Sequence, residues 1–405
     1  MSKIKKIIGE NAINVLFQPI VSVKTKTLVG VEALARAADP VSRKAIPPLE
    51  LFEAAKREGK LVELDRACRK AALAAFAPLH RQNSSLMLFM NFESSIFDMG
   101  TAGSGHLSRS VEEHDIDPRN VVIEIVESKV SDIGSMRYFI ESHREQGFLI
   151  ALDDVGEGHS NLNRIPLVRP DIIKIDKSLI RDIDKEYYNR KIVEALGVIA
   201  RGTGSLLLAE GIETENEAVT SYDVGADLFQ GFFFSVPVPA ENVFSDFSLS
   251  IEQIAKKHRN RAMASVSARR TDEKKFSTGL DSLVDALRVS PVEKAPDILK
   301  KFLSSLPSCE CLYLLDQSGR QVGPTVCCAD RPCVHSSLLF RPAEAGTDHS
   351  RKNYFSLMMG LNVPAFTTEP YISLATGTVC RTTSLKFTHD SGSLFILCAD
   401  FESAN

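Results

Sequence analysis

The feature that most limits the fold of this chain is an alternation of short apolar runs with helical patterns, which continues to about residue 239. Runs rich in β-branched and aromatic residues predict strands, and apolar residues at three- and four-residue intervals predict helices between them. Strands joined by helices favour parallel βαβ units that close into a TIM-like (β/α)8 barrel, an α/β fold. The predicted strands are residues 15–23, 27–35, 86–92, 121–127, 148–155, 171–176, 206–212 and 228–234.

The opening of the pattern departs from a strict eightfold repeat. The first two predicted strands are joined by Lys24-Thr25-Lys26 alone, which is typical of a hairpin, so we expect one antiparallel strand. A doubly wound open sheet is the alternative. No G-x-G-x-x-G follows the first strand, and this favours the barrel. The main predicted helices are residues 49–77, residues 133–146, closed by Gly147, and a segment that ends near residue 200.

A chain of 405 residues is too long to fold around one hydrophobic core, and its length suits two domains with a connector. Past residue 239 the pattern changes to a polar segment rich in Lys and Arg, residues 251–270, which predicts a connecting helix. Further helical stretches and then short strands predict a small α+β domain. The expected organisation is a barrel over residues 1–245, a helical connector over 246–285 and the second domain over 286–405.

Charge and hydropathy exclude several kinds of partner. The chain has 48 basic and 52 acidic residues, and this balance argues against a nucleic-acid polymer or a membrane surface. The basic N-terminus is followed by a stretch that Gly9, Glu10 and Asn11 interrupt, so no signal peptide is predicted. No run of about 18 apolar residues occurs, so no membrane span is predicted and a cytoplasmic location is expected.

The cysteines are unevenly distributed. Cys68 is alone in the first 300 residues, and the last hundred contain Cys309, Cys311, Cys327, Cys328, Cys333, Cys380 and Cys398. Without a C-x-x-C spacing, two interpretations stay open. The thiols are reduced and partly buried in a β-rich core, or Cys327, Cys328 and Cys333 have a redox or metal role.

Polar residues stand near the ends of seven consecutive predicted strands. Barrel enzymes build their active sites at the C-terminal ends of strands, with residues contributed by several of them. We therefore predict the active site at this end of the barrel. The residues are Glu32, Asn91, Glu124 with Glu127, Asp153 with Asp154, Lys174, Glu210 and Gln230.

The residue types point to divalent cations. Asp153 and Asp154 end an apolar strand where the chain begins to turn, so that two neighbouring acids can address two cations, as in phosphoryl transfer. Oxygen ligands without His or Cys suit Mg²⁺ or Mn²⁺. Structural alternatives exist for single residues. Glu32 or Glu124 could pair with Lys174 inside the barrel, Asn91 could cap the loop that follows it, and Gln230 could bond to the backbone.

Together these motifs resemble the EAL-domain cyclic-di-GMP phosphodiesterases, whose name matches Glu32-Ala33-Leu34. The likeness runs from about residue 16 to residue 239. The other motifs are Phe17-Gln18-Pro19-Ile20, Met90-Asn91-Phe92, Glu124-Ile125-Val126-Glu127, Asp153-Asp154-Val155-Gly156, Lys174-Ile175-Asp176, Ala209-Glu210-Gly211-Ile212-Glu213 and Gln230-Gly231-Phe232.

The resemblance implies hydrolysis of one phosphodiester bond of cyclic di-GMP to give linear pGpG. It also implies two Mg²⁺ or Mn²⁺ ions, inhibition by Ca²⁺ and a homodimer. Carried over by position, the first metal would be held by Glu32, Asn91, Glu124 and Asp153. Asp154 and Gln230 would belong to the second metal, Lys174 would position the attacking water, and Glu210 would act as base or water-mediated ligand. Glu127 would brace the loop after Asp154, and Gln18, Leu34 and Arg36 would contact the ligand, with Arg36 at a phosphate.

One loop departs from the family pattern. Family members usually read Asp-Asp-Phe-Gly, a small residue, Gly and Tyr-Ser, where this chain has Val155, Glu157 and His159 at the differing positions. The loop links metal occupancy to dimerisation in active members. A second hypothesis is therefore a receptor that binds cyclic di-GMP without useful turnover, and a third is an unrelated barrel metalloenzyme.

The C-terminal segment looks like the PAS/Cache-like sensory module of some two-domain EAL proteins. The motifs are Arg351-Lys352-Asn353-Tyr354-Phe355, Pro370-Tyr371-Ile372-Ser373, Thr376-Gly377 and Cys380-Arg381-Thr382. Arg351, Tyr371 and Asp400 could line a pocket for a small anionic or polar molecule. Alternatively they are structural, with Tyr354-Phe355 in the core and Arg351 in a surface ion pair.

Overall fold

The computed structural model divides the chain into two compact units, Met1–Ala262 and Met263–Asn405. It describes residues 3–10, 12–39, 42–93, 105–126, 132–156, 162–306, 308–328 and 339–402. The division falls within the predicted connector, where one helix covers Ser248–Val289. The domain limits 1–245, 246–285 and 286–405 stay a prediction.

The first unit is a closed barrel of eight strands, with a short ninth strand added beside the second. The first strand is antiparallel to both of its neighbours, and the other neighbouring pairs of the barrel are parallel. The predicted TIM-like barrel with one antiparallel strand is confirmed. The strands are β1 Ile13–Ser22, β2 Thr27–Ala38, β3 Ala45–Ile46, β4 Met87–Phe92, β5 Val121–Val126, β6 Leu149–Val155, β7 Ile172–Ile175, β8 Leu206–Ala209 and β9 Leu228–Phe229.

The helices of this unit bury apolar faces against the outward side chains of the strands. The single helical region predicted over residues 49–77 is wrong, because two helices occupy it and Gly59, at φ +64°, separates them. The helices are α1 Lys3–Gly9, α2 Pro48–Arg57, α3 Leu61–Gln82, α4 His106–Glu113, α5 Ile133–Glu145, α6 Arg164–Val168, α7 Lys177–Ile180, α8 Tyr187–Thr203 and α9 Glu215–Asp223, followed by α10 Ser248–Val289.

Inside the barrel, an apolar layer lies beneath the predicted site. Side chains two residues apart on a strand point to the same face, so the next inward residues along each strand form a second layer. Eight polar residues of the predicted site occupy that second layer, one in or directly after each strand of the barrel. The apolar layer consists of Ile20, Phe89, Val122, Ala151, Ile172, Leu208 and Leu228.

The second unit is an antiparallel sheet with helices, and it confirms a sheet-rich C-terminal domain. The strand order is β11-β10-β15-β14-β12, and β13 pairs with β14. The short α12 was not predicted, because apolar residues occupy most of its positions and leave no clear helical period. The elements are α11 Ala295–Leu303, β10 Cys309–Asp316, β11 Gln321–Cys327, α12 Asn353–Leu361, β12 Ala365–Thr367, β13 Tyr371–Ile372, β14 Val379–Thr388 and β15 Leu394–Glu402.

A buried acid organises a polar network on this sheet. Asp400 Oδ1 accepts hydrogen bonds from Thr382 Oγ1 at 2.7 Å and from Tyr313 OH at 3.3 Å. The Tyr371 hydroxyl also contacts Thr382 Oγ1, whereas Arg351 is exposed. Two of the three predicted pocket residues therefore share one network, and a ligand at this place stays a prediction. None of the described helices combines the length and apolar composition that a bilayer span requires.

We predict that Asp400→Asn weakens the pH dependence of the second unit's stability. Burial raises the pKa of Asp400 to about 7 from the usual 3.8. The folded state therefore holds a proton that the unfolded chain has lost, and stability falls as pH rises from about 4 to about 7. Asparagine keeps the acceptor oxygen without the charge.

The measurement is urea unfolding of the full chain across this pH range, followed by pulse proteolysis in which peptides from residues 263–405 are quantified by mass spectrometry. Asp390→Asn, at an exposed position, is the matched control. A wild-type pH slope that persists in Asp400→Asn would contradict the assignment.

Candidate active site

The polar layer is built from residues that follow the apolar layer by two positions on the parallel strands. β1 runs in the opposite direction, so its polar residue, Gln18, precedes its apolar residue, Ile20, by two positions. Gln18 stands opposite Glu32 in the β1–β2 register. Asn91 likewise stands beside Glu124 in the β4–β5 register. The layer consists of Gln18, Glu32, Asn91, Glu124, Asp153, Lys174, Glu210 and Gln230.

Lys174 lies at the centre of this layer and is buried. Its Nζ lies 2.5 Å from Glu124 Oε1, 2.9 Å from Asp153 Oδ1 and 2.7 Å from Glu210 Oε1. A charge with 1% of its surface exposed is tolerated only where opposite charges face it. Burial disfavours the charged form of Lys174, but the facing carboxylates raise its pKa well above the usual range.

For the carboxylates of Glu124 and Glu210 the effect of burial outweighs the attraction of Lys174, so their neutral form is favoured. Burial raises the pKa of Glu124 well above its usual range, and Lys174 acts against that shift. Burial also raises the pKa of Glu210 to about 8, again against the effect of Lys174, while the Asp153 charge adds to the rise. The layer thus gathers more carboxylates than one lysine neutralises, and this favours protonation of Glu210 when no metal is bound.

Glu32 is held by two amides and not by Lys174. Asn91 Nδ2 donates to Glu32 Oε1 at 2.8 Å, and Gln230 Nε2 donates to Glu32 Oε2 at 2.6 Å. Gln230 Nε2 also lies 3.2 Å from Gln18 Oε1, and Gln18 donates in turn to the Ser235 carbonyl. The structural pairing of Glu32 with Lys174 that the sequence left open is replaced by this amide network.

A bulge brings the two neighbouring aspartates to one place. The β6–β7 register shifts between Leu152 and Val155, and Asp154 adopts a left-handed backbone with φ +56°. A regular strand would turn the two side chains to opposite faces. Here oxygens of Asp153, Asp154 and Glu210 lie within 4.8 Å of one another, a spacing suited to a shared metal ion.

The donor set fits a hard divalent cation. Glu124 Oε2 and Gln230 Oε1 are buried without a hydrogen-bond partner, and the carboxylate oxygens that face Lys174 are ion-paired without hydrogen-bond geometry. Buried oxygens with unused lone pairs beside surplus negative charge are what Mg²⁺ or Mn²⁺ would require. Asp153, Asp154 and Glu210 contribute carboxylate oxygens here, and the predicted set of metal ligands stays a prediction.

A cavity of about 470 Å³ opens above the layer. Leu34 and Arg36 line it, and the Arg36 side chain is half-buried with Nη1 donating to the Ala35 carbonyl, while their contact with a ligand stays a prediction. Gln18 does not line this cavity but accepts a hydrogen bond from Gln230, and its predicted contact with the ligand stays a prediction. Glu127, Glu157 and His159 lie outside the described residues, so the predicted brace of the loop and its altered positions are not placed.

The sequence did not reveal a second buried ion pair at the wall of the cavity. On α3, Arg69 Nη2 lies 2.5 Å from Asp65 Oδ2, and its guanidinium stands 4.3 Å from the Phe92 ring centroid. Asp65 Oδ1 accepts from the Glu93 amide, so the pair fixes the end of β4 beside Asn91. The i,i+4 spacing of Asp and Arg was the available signal, but it is common on exposed helices.

The fold and the site define a class: TIM-like barrels with a carboxylate cleft built around one lysine at the ends of the strands. The chain belongs to the EAL domain family, whose model, described as "EAL domain", matches residues 2–237. The predicted resemblance is therefore confirmed. The PAS/Cache-like identity of the second unit stays a prediction.

Individual relatives extend the comparison. The uncharacterized EAL-domain protein YkuI of Bacillus subtilis is 26% identical over 382 residues, which cover 91% of this chain and 90% of YkuI. Its crystal structure, in complex with substrate c-di-GMP and calcium, covers both chains fully with a TM-score of 0.79 at 23% identity. That likeness shows that the fold is shared.

Other relatives match the barrel alone. The probable cyclic di-GMP phosphodiesterase PdeI of Escherichia coli is 30% identical over 228 residues, 55% of this chain and 29% of PdeI. BlrP1 of Klebsiella pneumoniae, solved as a manganese/c-di-GMP complex, has a TM-score of 0.51 at 29% identity and covers 56% of each chain. EAL structures thus bind divalent metals together with c-di-GMP.

The backbone at Asp154 gives a stability prediction that is independent of activity. A left-handed conformation is unfavourable for residues with a Cβ and nearly free for glycine. Asp154→Gly should therefore be more stable than Asp154→Ala by about 1 kcal/mol. Both variants remove the carboxylate, so the comparison isolates the backbone.

The free energy of unfolding in urea, measured without divalent metal, is the test. The same pair of substitutions at Glu194, in α8, is the control, and there alanine should be the more stable variant. Equal stabilities at position 154 would show that the strand end is not strained.

Proposed function

We propose that the chain is a Mg²⁺- or Mn²⁺-dependent phosphodiesterase that hydrolyses cyclic di-GMP to linear pGpG and that its C-terminal unit acts as a sensor. The observation that carries the proposal is the layer of carboxylates around Lys174, with buried oxygens that lack partners, in a member of the EAL domain family. The c-di-GMP complexes of YkuI and BlrP1 support the choice of ligand.

The residues that would hold two cations lie toward or just beyond the C-terminal ends of the parallel barrel strands. Glu32, Asn91, Glu124 and Asp153 would hold the first, and Asp154 with Gln230 and Glu210 would belong to the second. Bound cations would lower the pKa of a shared water and neutralise charge on the nonbridging phosphate oxygens. Asn91 and Gln230 already orient the Glu32 carboxylate through their amide N–H groups.

The protein's own groups contribute position and charge. Lys174 holds the Glu124, Asp153 and Glu210 carboxylates in fixed positions and supplies a buried N–H donor for the attacking water. Glu210, at the cavity edge, would accept the proton that this water loses once bound cations had displaced the proton that burial favours on it in the metal-free chain.

The cavity wall supplies the substrate contacts. Arg36 places a permanent positive charge beside the cavity for a phosphate, and Leu34 adds an apolar contact next to it. The half-buried Gln18 supports the site through Gln230. The 470 Å³ volume lies within the range of roughly 300–1,000 Å³ found for small-molecule sites.

A receptor without useful turnover is the second candidate. The sequence differences at Val155, Glu157 and His159 favour it, because this loop links metal occupancy to dimerisation in active family members. Val155 is buried in the barrel core, so the larger Phe of the family pattern does not fit without local repacking.

We predict that Asp153→Asn abolishes Mg²⁺- and Mn²⁺-dependent formation of pGpG. The rate should fall by about 100-fold or more, because the first cation would lose one of its ligands. Product is measured by chromatography of the nucleotides. Glu194→Gln, an exposed carboxylate on α8, is the matched control and should retain wild-type rates.

Calorimetric titration separates the two candidates. An enzyme should bind cyclic di-GMP in Ca²⁺ without product and form pGpG when Mg²⁺ or Mn²⁺ replaces it. Micromolar binding with no pGpG in either metal would establish the receptor. Absence of binding in all three metals would reject both and favour an unrelated metalloenzyme.

A further inference from the structure

Two cysteines of the second unit stand directly opposite each other on neighbouring strands. Cys311 on β10 pairs in register with Cys327 on β11, and their sulfur atoms lie 2.9 Å apart. Both are free thiols. Cys311 is fully buried, whereas Cys327 is partly exposed. The pair therefore combines one reachable sulfur with one protected sulfur.

The backbone at this position suits a covalent link. The Cys328 amide donates to the Glu310 carbonyl, so residues 310 and 328 are a hydrogen-bonded pair, and the adjacent Cys311 and Cys327 are a non-hydrogen-bonded pair. Opposed residues at such positions have Cα atoms about 4.5 Å apart. Disulfides span roughly 4.4–6.8 Å between Cα atoms, so the strands need not separate for a bond to form.

Exposure gives the two sulfurs different roles, because a peroxide can reach the partly exposed Cys327 and not the buried Cys311. The two thiols share one hydrogen bond in which either can donate, and this contact lowers the pKa of Cys327 and raises that of Cys311. The thiolate is the reactive form of cysteine. A reactive, partly exposed thiol beside a second thiol is the arrangement found at redox-sensing cysteines.

We propose that Cys311 and Cys327 are a redox modification site, at which a hydroperoxide converts the two thiols into a reversible intramolecular disulfide. The Cys327 sulfur attacks one peroxide oxygen and the O–O bond breaks. This gives a sulfenic acid, and the second oxygen leaves with a proton as water. The Cys311 sulfur then attacks the Cys327 sulfur, the S–O bond breaks, and the hydroxyl leaves as water with the Cys311 proton. One hydrogen peroxide is reduced by two electrons for each disulfide formed.

The position connects the pair to the buried acid of the same sheet. Cys311 stands opposite Asp400 on β15, and Asp400 stands opposite Thr382 on β14, so the four side chains form a row across β11, β10, β15 and β14. Oxidation would fix one end of this row covalently. The proposal does not rest on the phosphodiesterase activity, and its test does not measure that activity.

The test is peroxide titration of the native full chain at neutral pH, followed by denaturation in an alkylating reagent and mass spectrometry of the peptides. We expect a Cys311–Cys327 linked peptide, and free thiols that fall by two from the eight of the sequence. Dithiothreitol should restore all eight thiols without a change in the far-ultraviolet circular dichroism.

The variants separate this site from general thiol oxidation. Cys327→Ser should form no linked peptide and lose no pair of thiols at the same peroxide concentration. Cys328→Ser, at a neighbouring and similarly half-buried cysteine, should keep the Cys311–Cys327 link. Eight free thiols after oxidation of the wild type, a sulfinic acid at Cys327, or a disulfide from Cys327 to Cys328 or Cys333 would each overturn the proposal.

Discussion

The buried ion cluster around Lys174 is the interaction on which the candidate site depends. One ammonium group contacts three carboxylates from three strands, within 2.5–2.9 Å. Such a cluster is a weak source of stability, because desolvation of the charges offsets most of their attraction. Its effect is geometric: the carboxylates of Glu124, Asp153 and Glu210 are held in place before any ligand arrives.

The barrel makes this cluster possible by separating two layers. The apolar layer around Phe89 and Val122 fills the interior and excludes water from below. The polar layer above it lies where parallel strands end together, and α3 adds Asp65 and Arg69 to the wall of the cavity. A hydrophobic floor under a charged layer lowers the local dielectric, so both the ion pairs and the pKa shifts become stronger.

Much of this arrangement could be predicted from the sequence, because parallel strands buried on both faces read as apolar runs with a polar residue near each end. Local pattern could not reveal features that tertiary contacts decide. The bulge at Asp154 depends on pairing with β7, and the left-handed backbone of Gly211 lies so close to Lys177 that a Cβ there would clash with it. The Asp65–Arg69 ion pair could not be predicted either, because its burial distinguishes it from the many exposed pairs with the same spacing.

The antiparallel first strand affects how the barrel folds during synthesis on the ribosome. β1 can pair with β2 as soon as both have been synthesised. Its other edge pairs with β9, so the contact between Val21 and Phe229 forms only after nearly the whole barrel has been synthesised. Until then the nascent sheet has an open seam that other chains could occupy. Closure of the barrel is thus a late event in synthesis, and the amide network between Gln18, Glu32 and Gln230 is assembled by that same closure.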